Sequence, residues 1–306
     1  MDDLVDFALR ERYEKVKNLR SWLEEMKDLL DWDAFVSLFP AKETTRGRPA
    51  YELTLKLKIL FLQSWYGISD EELEFQINDR LSFQQFLDFP NDVPDYSTIW
   101  RFREYLTEQD LAERIWTELH RQIQAHGIAV QSGVIQDAKI VTADPGKKRS
   151  GKEGRGHEAK TSRSKDGTWT KKNGKSYFGF KLHTKVQCKS KIITEIALTT
   201  ARTHDNKIDL ATSKEIVYRD KGYTGTKTRA RGNASMKRGK LTPHEKLRNK
   251  RISKKRSPGE HPYATMTRSF KAGTTKLTTI ARVYVQQLFL CAAYNLQRLN
   301  FLLKPT

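Results

Sequence analysis

Three acids stand apart in a strongly basic chain: Asp137, Asp220 and Glu260. Asp137 lies in GVIQDAKIV, residues 133–141, among the apolar Val134, Ile135, Ile140 and Val141. The stretch reads as a buried strand carrying one carboxylate, which is costly unless a charge or a metal compensates it. Asp220 ends the strand-like IVY and precedes KGY. Glu260 follows KRSPG and opens a helix, with Pro262 suited to its first turn. A sheet can bring two strand carboxylates together, and a helix packed on it can supply a third. Such a trio binds hard divalent cations through oxygen. Two such ions, Mg²⁺ or Mn²⁺, activate a water and steady the leaving 3′ oxygen of a phosphodiester. The same residues also have a plainer reading. Asp137 is then half of an ion pair with a lysine, Asp220 a turn residue, and Glu260 an acid favoured by a helix dipole.

The elements that would position these acids lie in a chain of 306 residues, enough for one large domain or two ordinary ones. Hydrophobic residues make up 37% of it and include 14 Phe, 11 Tyr and 6 Trp, which supports a substantial core. The formal net charge of +19 argues for a polyanionic partner. The charge is uneven: residues 1–60 hold 11 Lys/Arg against 12 Asp/Glu, whereas residues 221–260 hold 14 Lys/Arg against Glu245 and Glu260 alone. A second basic tract runs from Lys147 to Lys175. No apolar run reaches bilayer length and the N-terminus has no signal-peptide character. Cys188 and Cys291 stand in unrelated contexts, which indicates neither a disulfide framework nor a zinc site and fits a reduced, cytoplasmic setting.

The first 126 residues read as a helical domain. Leu55, Ile59, Leu62 and Tyr66 recur at helical spacing, and Gly67 ends that run. Ser69 with Glu72, Ser82 with Gln85, Ser97, and Thr107 with Asp110 are cap signals for further short helices. Short helices joined by tight turns resemble helix-turn-helix modules, and a plain helical scaffold fits them about as well. From Gly127 the character changes. GVIQDAKIV, SYFGFKLHTKVQC (176–188) and KIITEIALTT (191–200) read as strands pairing in a meander, and EIVYRDKGYTG (215–225) as a further strand. Residues 144–175, nearly free of apolar side chains, read as a basic insertion loop that orders only on an anionic partner. A long helix is expected from about 278 to 303. The fold class is therefore α/β, a central mixed sheet flanked by helices over 127–306, preceded by the helical domain.

Several ordered pieces resemble the DDE transposases of bacterial insertion sequences, in the group of insertion sequences four and five. GVIQDAKIV is similar to the family's first catalytic strand, YFGFKLHTKV to its YFGxKxH strand, and TTARTHD to a segment ending in His-Asp, here His204 and Asp205. IVYRDKGYTG resembles the strand carrying the second Asp, and RISKKRSPGEHPYATMTRSF the region of the catalytic Glu. The family's Tyr-x2-Arg-x3-Glu-x6-Lys signature is met at Arg256 and Glu260. Ser253 holds its Tyr position and Thr267 its Lys position, with Arg268 beside it, which leaves the last basic role open. The likeness spans about residues 40–300. It implies an RNase H-like core, Asp137, Asp220 and Glu260 as catalytic residues and ligands of two Mg²⁺ or Mn²⁺ ions, and cutting at transposon inverted-repeat ends followed by 3′-OH strand transfer into target DNA. The partner is double-stranded DNA, engaged as a homodimer and at the nucleoid. A catalytically inactive or domesticated DNA-binding descendant is the alternative.

The basic residues near these pieces are candidate DNA contacts. Lys181 and His183 share the strand face opposite Phe180 and Leu182, read as facing substrate. Arg256 and Arg268 flank Glu260, and Lys221 follows Asp220. Arg101 and Arg103 sit on the helix opened near Ser97, where they either clamp transposon-end DNA or hold the helix in place.

Overall fold

The computed structural model describes residues 11–15, 22–40, 50–128, 133–146 and 164–304. The chain divides into two compact units, Met1–His126 with Leu299–Thr306, and Gly127–Arg298.

The first unit is helical, with α1 (Trp22–Asp28), α2 (Trp32–Val36), α3 (Leu53–Tyr66), α4 (Asp70–Asp79), α5 (Leu81–Phe86), α6 (Tyr96–Glu108) and α7 (Leu111–Ala125) among the described residues. Its centre is aromatic: Trp32 stands edge-on to Phe61 and Phe86, and Trp65 edge-on to Phe86. Gly67 closes α3 in the left-handed conformation and Ser69 caps α4 by accepting from the Glu72 amide. Three expected caps are corrected. Asp95, not Ser97, caps α6, because its carboxylate accepts from the Thr98 amide and also from the Ser97 hydroxyl. Arg80, not Ser82, precedes α5 and makes no side-chain cap. Asp110 precedes α7 in a left-handed conformation without a cap bond, and the Thr107 hydroxyl turns back to the Arg103 carbonyl.

Arg103, a candidate DNA contact, is tied up within the helical unit. Its guanidinium is held by the Asp70 carboxylate and by the Gln63 side-chain oxygen, at 2.7 Å, so it ties α6 to α4 and to the end of α3. Its side chain is only 16% exposed. Arg103→Ala is expected to cost the folded state about 1–3 kcal/mol. Thermal melting checks it: an unchanged melting temperature together with weaker DNA binding would return Arg103 to the DNA contacts.

The second unit is built on a seven-stranded mixed sheet in the order β2-β3-β1-β5-β6, with β4 also on β3 and β7 also on β1. Its two long strands, β1 (Gly133–Ala143) and β3 (Lys175–Gln187), pair antiparallel with Asp137 opposite Thr184. β4 (Ile193–Thr200) completes the antiparallel meander on β3. On the other side of β1, β5 (Ile216–Arg219) and then β6 (Gly232–Ser235) run parallel to it, and β7 (Thr274–Thr275) meets its far end. One face is packed by α9 (Glu260–Ser269), where Tyr263 donates to the Asp137 carbonyl. α10 (Ile280–Leu303) fixes β4, its buried Asn295 side chain bonding both backbone groups of Ile193.

The expected insertion loop is corrected at its end. Thr168–Lys172 forms β2, antiparallel to the first residues of β3 across an Asn173-Gly174 turn in which both φ angles are positive. Residues 147–163 of the tract lie outside the described residues. A basic helix, α8 (Pro243–Arg256), precedes α9 and starts at a Thr242/Glu245 capping box with Pro243 in its first turn.

Candidate active site

Asp137 sits midway along β1, where the pleat turns its side chain toward the face packed by α9. Both carboxylate oxygens are engaged. Oδ1 accepts from the Ala138 amide at 2.9 Å, and Oδ2 pairs with the Arg256 guanidinium at 3.0 Å. Burial pushes the Asp137 carboxyl above the usual carboxylate range; Arg256 and the Ala138 amide oppose that, and the charge of nearby Asp220 adds to it. The compensating charge is thus an arginine from the last turn of α8, rather than a lysine.

Asp220 follows β5 and caps a single 3-10 turn, Lys221–Tyr223, with Oδ1 accepting from the Gly222 amide at 2.7 Å. Because β5 runs parallel to β1, this end of β5 points toward the middle of β1, and the two aspartates become neighbours. Tyr223 is fully buried beneath them. Its hydroxyl has no hydrogen-bond partner among the described residues. Burial first, then the carboxylates Asp137, Asp205 and Asp220, hold it protonated far above the ordinary tyrosine range.

Glu260 begins α9, directly after the 3-10 turn Ser257–Gly259 that links it to Arg256. Gly259 lies hard against β1: a Cβ there would stand 2.6 Å from Ile135 Cγ2. That contact holds the Arg256-to-Glu260 turn onto the strand of Asp137. The Glu260 side chain is exposed and pairs with no other described residue. The structure therefore joins Asp137, Asp220 and Arg256 and leaves Glu260 outside their contacts. Among the described residues, no three His, Cys, Asp or Glu side chains stand close enough to hold a metal ion together. The Asp137–Asp220 pair still offers the donor chemistry of a hard cation such as Mg²⁺, which keeps several waters and takes one or two carboxylates.

The basic residues divide. Lys221 and Arg268 are exposed, as is Arg101 in the first unit. Lys181 and His183 do share one strand face, but that face is covered by residues 201–212, which corrects their expected exposure to substrate. Lys181 donates to the Thr203 carbonyl at 2.7 Å and pairs with Asp205 at 2.8 Å. His183 is fully buried against the Thr199 hydroxyl, and burial lowers its pKa to about 4. A histidine depressed in this way stabilises the fold above its unfolded pKa, and that contribution is lost as pH falls from about 6.5 toward about 4. The loss amounts to roughly 3 kcal/mol. Urea unfolding across this range should show it, and His183→Gln should remove that component. Identical pH profiles for the two proteins would refute the assignment.

Sequence reading did not assign Asp205. It lies in a 3-10 turn after β4, and its Oδ2 comes within 3.1 Å of where a Gly222 Cβ would stand. The His-Asp pair after a strand was the available signal.

A family model described as Transposase DDE domain matches residues 128–296. The chain belongs to this family of DDE transposases. A second model, Transposase domain (DUF772), matches residues 10–105. No solved structure matches the chain. The transposase is a DNA-cleaving and strand-transferring enzyme. Its core is RNase H-like, and the meander β1-β3-β4 with β5 and β6 parallel to β1 supplies that sheet. Enzymes of this family act on DNA and depend on divalent metal ions in general. No helix among the described residues is long and apolar enough to cross a membrane.

Proposed function

We propose that this transposase, of the insertion sequence four and five group, cuts the inverted-repeat ends of its own element with Asp137, Asp220 and Glu260 as the catalytic carboxylates. The free 3′ hydroxyl then attacks target DNA. The observation that supports the residue assignment is the parallel pairing of β1 with β5, which makes Asp137 and Asp220 neighbours, with Arg256 and Glu260 delivered to the same strand by the turn at Gly259. Bound by these carboxylates, two Mg²⁺ or Mn²⁺ ions would supply a Lewis acid that activates water and stabilises the leaving oxygen. Arg256 orients the Asp137 carboxylate and offers its guanidinium to a phosphate. Lys221 and Arg268, both exposed, take further phosphates.

The helical domain, residues 1–126, recognises the ends and pairs them, and residues 127–306 carry the chemistry. On α6 the exposed Arg101 stands beside Trp100, 44% exposed, which makes that face the candidate for end recognition. Two ends require two active sites, so the working form is a homodimer on DNA, acting at the nucleoid in the cytoplasm.

The test is cleavage of DNA bearing the element's ends, taken from its flanking sequence, by the full chain with Mg²⁺ or Mn²⁺. Products ending in 3′ hydroxyl groups, and their joining to a second duplex, are expected. Binding without cutting in either metal would refute this function and identify a DNA-binding descendant.

A further inference from the structure

We propose that Asp205 is a further ligand of the divalent cation, and that with Asp220 it captures one ion before DNA arrives and without Glu260. This rests on the metal-dependent cleavage proposed above and adds a residue and an order of assembly to it.

Asp137 is already committed in the DNA-free chain, one oxygen to a backbone amide and the other to Arg256. Asp220 is different. Its Oδ1 accepts from Gly222, and among the described residues no basic side chain pairs with it, so Oδ2 remains available. Asp205 shows the same division: Oδ1 faces Lys181 at 2.8 Å, and Oδ2 carries no partner among the described residues. The two carboxylates meet at Gly222. A Cβ on that residue would lie 2.8 Å from Asp220 Oδ1 and 3.1 Å from Asp205 Oδ2. The absent side chain keeps a small space between two acids from separate turns.

A second observation points to the same place. The Tyr223 hydroxyl is buried and has no hydrogen-bond partner among the described residues, and the charges of Asp137, Asp205 and Asp220 act on it. An unpaired buried hydroxyl is costly, and a group ordered by these carboxylates, such as a water of a hydrated cation, would satisfy it. Charge agrees. Arg256 balances Asp137 and Lys181 balances Asp205, which among the described residues leaves the charge of Asp220 uncompensated. Two carboxylates with several retained waters is an ordinary way to hold Mg²⁺. Lys181 then acts as a positioning residue: bound to the Thr203 carbonyl, it aims the Asp205 carboxylate toward Gly222.

The experiment is a Mn²⁺ titration of the full chain without DNA, read by the electron paramagnetic resonance signal of free Mn²⁺. The wild type should bind Mn²⁺, and Asp205→Asn should weaken that binding by about tenfold or more. Gly222→Ala, which keeps every carboxylate and fills the space between them, should weaken it similarly. Glu260→Gln, at a residue assigned to the cutting step, should weaken it less than Asp205→Asn does. Metal-free melting curves establish that each variant is folded. Wild-type Mn²⁺ affinity in folded Asp205→Asn overturns the proposal, as does a wild type that binds no Mn²⁺ without DNA. Equal weakening in Asp205→Asn and Glu260→Gln overturns the order of assembly. Each of these leaves the cleavage assignment standing, since that fails only if the wild type cuts no ends in either metal.

Discussion

Alanine at Asp137, Asp220 or Glu260 is expected to lower end cutting by about 10³-fold or more, with end binding held within a few-fold of wild type. Removing an acid from a basic surface does not weaken attraction to phosphate. The three variants should differ in stability, which separates chemistry from folding. Glu260 is exposed and unpaired, so Glu260→Ala should melt like the wild type. Asp220→Ala gives up the bond to the Gly222 amide and should destabilise modestly. Asp137→Ala strands the Arg256 guanidinium and should destabilise most. Cutting with Mg²⁺ and with Mn²⁺, mobility-shift binding and thermal melting are measured on each protein. A folded variant that cuts at the wild-type rate removes its residue from the site.

The elements that carry the site were legible where periodicity was strong. β1, β3, β4 and the long α10 follow the apolar patterns of GVIQDAKIV, FGFKLHTKV, IITEIALTT and the C-terminal run. β2 and α8 were missed for a common reason. Each is short of apolar residues, so neither has a periodic signal, and their evidence lay in end chemistry: Asn173-Gly174 for the hairpin and Thr242-Pro243-x-Glu245 for the helix. Cap placement failed where two candidates compete within a few residues. Asp95 and Ser97 both suit an N-cap, and the carboxylate takes the Thr98 amide while Ser97 becomes its donor.

Candidate site residues could be singled out one at a time, and their partners could not. A carboxylate inside an apolar strand marks Asp137 from sequence, but Arg256, which neutralises it, lies 119 residues further on. Strand alternation put Lys181 and His183 on one face correctly. What covers that face is a segment with no regular pattern, fixed through buried Gln136, which accepts from Arg219 at 3.1 Å and from the Leu210 amide at 3.2 Å. Asp205 is a tertiary neighbour of Gly222, and strand and helix periodicity do not reach such a relation.

Arg256 is the remaining residue on which a large effect is expected. Its guanidinium is the only basic group in contact with the Asp137 carboxylate among the described residues, and the two side chains are 14% and 21% exposed. Arg256→Ala leaves Asp137 half-buried without its counter-charge, at a cost of about 1–3 kcal/mol, below the range for a fully buried pair. Burial already favours the protonated form of Asp137, and without Arg256 its largest opposing influence is lost, leaving the Ala138 amide and the charge of Lys172. A protonated Asp137 is a poor cation ligand, so cutting should fall by about 10²-fold or more. Arg256→Lys tests charge against geometry. Lysine keeps the positive charge for phosphate but not the planar fork, so DNA binding should recover more than cutting does. The comparison is made on end DNA at fixed salt, with melting curves for both variants. Wild-type cutting and an unchanged melt for Arg256→Ala would show that the pair with Asp137 neither supports the fold nor prepares the site.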